Sequence, residues 1–106
     1  MSAAGKVIDN REATRFEILV DGDVAGFAKY RLKDNEIAIL HTEVKGEFEG
    51  KGLAGELVRE TLQAARDAGL VVVPQCPFTS GYIRRHPEWL DIVRDDYRER
   101  LSSPAG

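Results

Sequence analysis

The segment Glu43-Val44-Lys45-Gly46-Glu47-Phe48-Glu49-Gly50-Lys51-Gly52-Leu53-Ala54 joins an apolar, strand-like run to an amphipathic helical one, and its reading decides the fold. Gly50 and Gly52 free the backbone for left-handed angles and for close approach of a ligand. The helix that follows has no Ser, Thr, Asp or Asn at its cap, so its first N–H groups lack a side-chain acceptor. Such groups, together with the positive end of the helix dipole, make an anion site whose usual guest is phosphate. Gly-x-Gly alone fits an ordinary turn into a helix better than a ligand site, so the flanking residues must decide.

Upstream, Arg15-Phe16-Glu17-Ile18-Leu19-Val20 reads as a strand with Phe16, Ile18 and Val20 on one face. Asp21-Gly22 is a hairpin turn, Val24 to Leu32 a returning strand weakened by Gly26, and Lys33 to Glu36 a second turn. Ile37 to Val44 completes an antiparallel three-strand meander. Downstream the period changes. Leu53, Leu57, Val58, Leu62 and Ala65 line one helical face, and Gly69 stands where a helix stops. Leu70-Val71-Val72-Val73 is wholly apolar, as in a strand covered on both faces. Strand, helix, strand at this spacing is a crossover unit, so the last strand runs parallel to the third.

Pro74 cannot donate to a ladder, so pairing is expected to lapse there and open a crevice beside the glycine loop. Thr79 or Ser80 is expected to cap a short helix through Arg84, and Pro87 to open a final helix with Trp89, Leu90, Val93, Tyr97 and Leu101 buried. The fold class is therefore α/β, a mixed sheet of antiparallel meander plus parallel crossover strand with C-terminal helices.

The bulk properties bound the function. A chain of 106 residues is one domain, 1–106, with ends 1–6 and 102–106 expected to be flexible. A net charge of −3 argues against nucleic acid or an anionic membrane as partner. No apolar stretch is long enough to span a bilayer, and the first residues lack a secretion signal. The single cysteine, Cys76, excludes an internal disulfide and fits a reducing, cytoplasmic setting.

Taken together, His41-Thr42-Glu43-Val44, Glu49-Gly50-Lys51-Gly52-Leu53-Ala54, Pro74-Gln75-Cys76-Pro77-Phe78 and Tyr82-Ile83-Arg84-Arg85-His86-Pro87-Glu88 resemble the GNAT acetyltransferase superfamily, in its minimal, YjdJ-type branch. They span about half the chain. The resemblance implies acetyl-coenzyme A as co-substrate, no metal, and acetyl transfer to an amine acceptor, small molecule or protein. It places the diphosphate on the backbone of Glu49, Gly50, Lys51, Gly52, Leu53 and Ala54, with the pantetheine arm along Glu43 and Val44. Where the wider family begins its phosphate loop with Arg or Gln, this chain has Glu47, an acid expected to face solvent. Only fifteen residues precede Phe16, so the elements that shape the family's acceptor pocket are expected to be nearly absent.

Four side chains carry the candidate chemistry. Cys76 follows the strand that Pro74 interrupts and reads as nucleophile, polar neighbour of the thioester, or small core residue. A nucleophilic role needs the thiolate stabilised, by His41 for example. His41 and Glu43 share a strand face and suit a base that deprotonates an incoming amine. The resemblance gives Tyr82 the role of protonating the departing thiolate; its other reading is packing with a surface hydroxyl. Arg84, Arg85 and His86 read as a solvated helix face or as phosphate contacts. Two functions from different classes stay open: an N-acetyltransferase, and a coenzyme A-binding or adaptor module with little turnover.

Overall fold

The computed structural model describes residues 5–102. Its five strands are β1 (Lys6–Asn10), β2 (Arg15–Val20), β3 (Asp23–Lys33), β4 (Glu36–Val44) and β5 (Val71–Pro74), in the spatial order of the sequence. The pairs from β1 to β4 are antiparallel and β4–β5 is parallel. Helix α1 (Leu53–Asp67) makes the crossover, followed by α2 (Pro77–Arg85) and α3 (Asp95–Ser102). The mixed sheet with helices is the expected α/β fold.

Turn chemistry sets the meander. Asp21 and Gly22 both have positive φ, 51° and 85°, the left-handed pair that matches strand twist in a tight hairpin. Gly26 permits a close approach: a β-carbon there would stand 2.6 Å from the Glu43 carbonyl oxygen. The buried stripe of α1 is the expected one, with Thr61 added; its hydroxyl donates to the Leu57 carbonyl at 2.8 Å. Gly69, at φ 70°, ends the helix. Phe16, Ile18, Tyr30, Ile37, Ile39 and Val72 meet α1 in the core.

Three elements depart from the sequence reading. Lys6 to Asn10 forms β1, pairing along β2 from Lys6↔Leu19 to Asn10↔Arg15; this segment carried no strand expectation. Of the termini expected to be flexible, Lys6 lies in β1 and Ser102 closes α3, while 1–4 and 103–106 lie outside the described residues. Helix α2 starts earlier than expected, with Cys76 as N-cap and Pro77 at its first position, where a missing N–H costs nothing. The single final helix is two pieces. Pro87–Ile92 is a 3-10 turn, Val93 turns extended to bridge Val72 in parallel, and α3 begins at Asp95. That bridge, with the Arg94 N–H donating to the Val72 carbonyl at 3.0 Å, outweighs continuation of the helix.

Candidate active site

The site is built where β4 outruns β5. Their last paired residues are Ile39 and Pro74, after which the N–H groups of Gln75 and Cys76 both turn onto the Ile39 carbonyl at 3.1 and 3.0 Å. From Leu40 to Val44, β4 is therefore bordered by β3 alone. A bulge reinforces the parting: Lys29 faces His41 and Tyr30 faces Ile39, leaving Leu40 as the extra residue.

The glycine loop closes the same end. Gly50 and Gly52 have φ of 80° and 76°, and Gly52 caps α1 in the left-handed conformation with no side-chain hydrogen bond. The first helical bond runs from the Glu56 N–H to the Gly52 carbonyl, so the N–H groups of Leu53, Ala54 and Gly55 have no intrahelical acceptor. Gly50, Gly52, Leu53, Ala54 and Gly55 line a cavity of about 500 Å³, with Val44, Phe48 and Glu49 at its β4 side and Phe78, Tyr82, Arg85 and His86 from α2 and its end. Two details of the sequence reading change. The Glu49 N–H already donates to the Gly46 carbonyl at 3.2 Å, closing the 3-10 turn Gly46–Phe48, so it cannot join an anion cradle. Lys51 does not line the cavity; its ammonium lies 6.0 Å from the Phe48 ring centroid. Glu47 is exposed, as expected.

Strand alternation divides the candidate chemical groups. Thr42 and Val44 face the helices, whereas His41 and Glu43 face the opposite side of the sheet. There the His41 Nε2 lies 3.2 Å from a Glu43 carboxylate oxygen, both side chains more than half exposed. Consequently His41 does not partner Cys76. The thiol belongs to Thr42, whose hydroxyl oxygen is 3.5 Å from Sγ.

Cys76 is buried at the N-cap of α2. Burial works to raise its thiol, but the Thr42 hydroxyl, the Thr79 and Phe78 backbone N–H groups and the Thr79 hydroxyl outweigh it and hold the thiol below its usual value. The fully buried Thr79 hydroxyl makes no standard hydrogen bond, yet stands near enough to the sulfur to favour a thiolate. Thr42 and Thr79, neither read as a site residue in the sequence, where Thr79 stood only as an expected helix cap, come from segments remote in the chain.

Tyr82 is buried on the cavity wall, its ring 4.2 Å from that of His86. Burial, chiefly, pushes its phenol above the ordinary value, with Arg59 acting the other way. The basic cluster splits: Arg85 and His86 line the cavity, while Arg84 donates to the Arg100 carbonyl at 3.2 Å. Among the described residues no cluster of three or more His, Cys, Asp or Glu side chains offers a metal site, and no helix is long and apolar enough to cross a membrane.

This geometry has relatives. No curated protein matches the chain. The solution NMR structure of a GCN5-like N-acetyltransferase candidate from Staphylococcus aureus superposes with a TM-score of 0.65 at 25% identity, covering 89% of this chain and 91% of that one. Residues 15–92, well over half of the chain, match the family of GCN5-related N-acetyl-transferases. The chain therefore belongs to the GCN5-related N-acetyltransferase family.

Proposed function

We propose that the protein binds acetyl-coenzyme A in the cavity between β4, α1 and α2 and transfers the acetyl group to an amine. The observation that carries this reading is the left-handed Gly50–Gly52 turn, which leaves the Leu53, Ala54 and Gly55 N–H groups without intrahelical acceptors at the cavity wall. A diphosphate there receives hydrogen bonds and the helix dipole together. Arg85 adds positive charge to the same cavity, and the exposed carboxylate of Glu49 opposes it. The unpaired backbone from Leu40 to Val44 suits an arm that lies along β4 like an added strand.

Bound acetyl-coenzyme A supplies an activated acyl thioester. The chain's own residues supply proton management at the parted sheet. The His41–Glu43 pair takes the proton that an ammonium must lose before its nitrogen attacks. Burial keeps the Tyr82 phenol protonated, the form needed to donate to a departing sulfur. Cys76 has a lowered thiol, but its burial against Thr42 favours direct attack by the amine.

The test is thermal. A ligand that binds only the native state, at 100-fold excess over its dissociation constant, adds about 2.7 kcal/mol of stability. Coenzyme A and acetyl-coenzyme A should each raise the melting temperature, and an amine panel should then release free thiol. Absence of any shift at millimolar coenzyme would remove the reading.

A further inference from the structure

All the helices that pack on the sheet lie on the side of Phe16, Ile18, Tyr30 and Ile39, leaving the other face without a helical layer. On that face, in register, stand Phe27 with Glu43, Lys29 with His41, Arg31 with Ala38, and Lys33 with Glu36. The His41–Glu43 pair is thus on the open side of the strand whose other side borders the cavity. The parting after Ile39 and Pro74 lies between the two sides.

Beside the parting, on the same open face, is a second hollow of about 170 Å³. Its floor is apolar, made by the buried Ala38 and Val73. Its rim holds Arg31, Lys33, Arg94, Glu36 and, at the point where β5 leaves β4, the exposed Gln75. The charges on this rim do not cancel. Arg94 is shared between Asp96, at 2.8 and 3.0 Å, and Glu36, at 3.2 Å, one cation against two carboxylates. Arg31 and Lys33 make no ion pair or side-chain hydrogen bond among the described residues, so both are free to bind an anion while the group as a whole keeps an excess of one positive charge. Lys29 does not line the hollow; its ammonium is held elsewhere by the Ala13 carbonyl and the Thr14 hydroxyl at 2.7 and 2.6 Å.

Spacing turns these parts into a ruler. Arg31 lies across from Ala38, and His41 is three residues further along β4, about 10 Å at the rise of a strand. We propose that this face receives the acceptor, and that the acceptor is a small ω-amino carboxylate: its carboxylate rests on Arg31 and Lys33, its methylene chain crosses Ala38 and Val73, and its amine reaches the His41–Glu43 pair at the parting. The proposal rests on the acetyl-transfer reading above. In the reaction the nitrogen–carbonyl bond forms and the thioester carbon–sulfur bond breaks. The nitrogen gives up two protons: the first passes from the ammonium to the His41–Glu43 pair before attack, and the second leaves as the carbon–sulfur bond breaks and restores, through solvent, the proton that Tyr82 gives to the sulfur. A free carboxylate is the group that two unpaired cations recognise, with Arg31 able to bind it in a bidentate fork. A lysine within a protein presents the same amine without that group.

The experiment compares ε-aminocaproate, hexylamine and a neutral lysine peptide as acceptors with the full chain and acetyl-coenzyme A. The expected result is a kcat/KM about tenfold higher for ε-aminocaproate, carried by KM, a difference equivalent to about 1.4 kcal/mol. The double variant Arg31→Ala, Lys33→Ala should bring ε-aminocaproate down to the level of hexylamine. Equal or better use of hexylamine or the peptide, or a preference that survives in the double variant, overturns the proposal. Binding gives an independent readout. Amide resonances of Ala38, Val73 and Gln75 should move on titration with ε-aminocaproate in the wild type and stay in place in the double variant. Unmoved resonances in the wild type overturn the subsite even if coenzyme still raises the melting temperature; a missing coenzyme shift strikes the earlier reading instead.

Discussion

The two halves of β4 have the same neighbour on one side and opposite fates on the other. From Glu36 to Ile39 the strand is paired with β5, and Ile37, Ala38 and Ile39 are buried. From Leu40 to Val44 it has lost β5, with Thr42 and Val44 toward the helices, where Val44 lines the cavity, and His41 and Glu43 toward the open face. Pairing gives the first half its role in stability. Its absence gives the second half unspent backbone groups and two sides, the features on which the proposed transfer rests. One strand can thus anchor a fold and carry a site because a single proline and a single bulge separate the two duties.

Substitutions in each half should separate stability from binding. Ile39→Ala, in the paired half, deletes a buried side chain and should cost about 2–5 kcal/mol in urea unfolding. A loss well under that range would show that the paired half is not the anchor. Gly52→Val acts beyond the other end. Its β-carbon meets nothing within 4 Å, so the cost to folding is the backbone strain of φ 76°, about 1–2 kcal/mol. Coenzyme affinity, by calorimetry, should fall at least about tenfold, or 1.4 kcal/mol, as the turn loses the angle that aims the N–H groups. Unchanged affinity in a folded variant would move the anion site elsewhere.

Gly26→Ala tests how tightly the unpaired half depends on β3. The new methyl would press on the Glu43 carbonyl, and about 1–3 kcal/mol should be lost, with the Glu43 and Val44 amides exchanging faster. An exchange pattern confined to β3 would argue that β4 is held from elsewhere. Cys76→Ser should have the smallest effect on turnover if the amine attacks directly, with no acetyl adduct in the intact mass of either protein. Iodoacetamide alkylation gives the companion measurement: the thiol ionises below its usual range, so the onset of reactivity with rising pH should come earlier than for a free cysteine, at a rate reduced by burial. An adduct in the wild type that is absent from Cys76→Ser would establish an acyl-enzyme.

How far the sequence could be read depended on the range of the cause. β2, β3, β4, α1 and the site loop follow from local period and from glycines whose angles the structure uses, Gly22, Gly50 and Gly52. β5 was legible as an apolar run after Gly69, displaced by one residue because Pro74 still fits the end of the ladder. The misses have non-local causes. β1 is a short edge strand, and it exists because β2 offers a free side; Lys6-Val7-Ile8-Asp9-Asn10 has no strong period of its own. The apolar stripe from Trp89 to Leu101 suggested one helix, but Val93 is drawn out to Val72, more than twenty residues upstream. In the site, the anion loop was legible because it is contiguous. The Thr42–Cys76 contact spans 34 residues and the Arg31–Gln75 hollow more, so neither leaves a local trace.

The bridge between Val93 and Val72 has a further meaning. β5 is the last strand of the sheet, four residues long and almost wholly aliphatic, the kind of border that invites another chain to zip onto it. The returning chain occupies that border for one residue pair and sets the Arg94 guanidinium, held by Asp96 and Glu36, directly after it. Pro74 withholds a donor at the far end. The C-terminal segment therefore acts as a guard against self-association, and a chain ending before Val93 would leave a sticky edge and aggregate, whatever became of its catalytic groups.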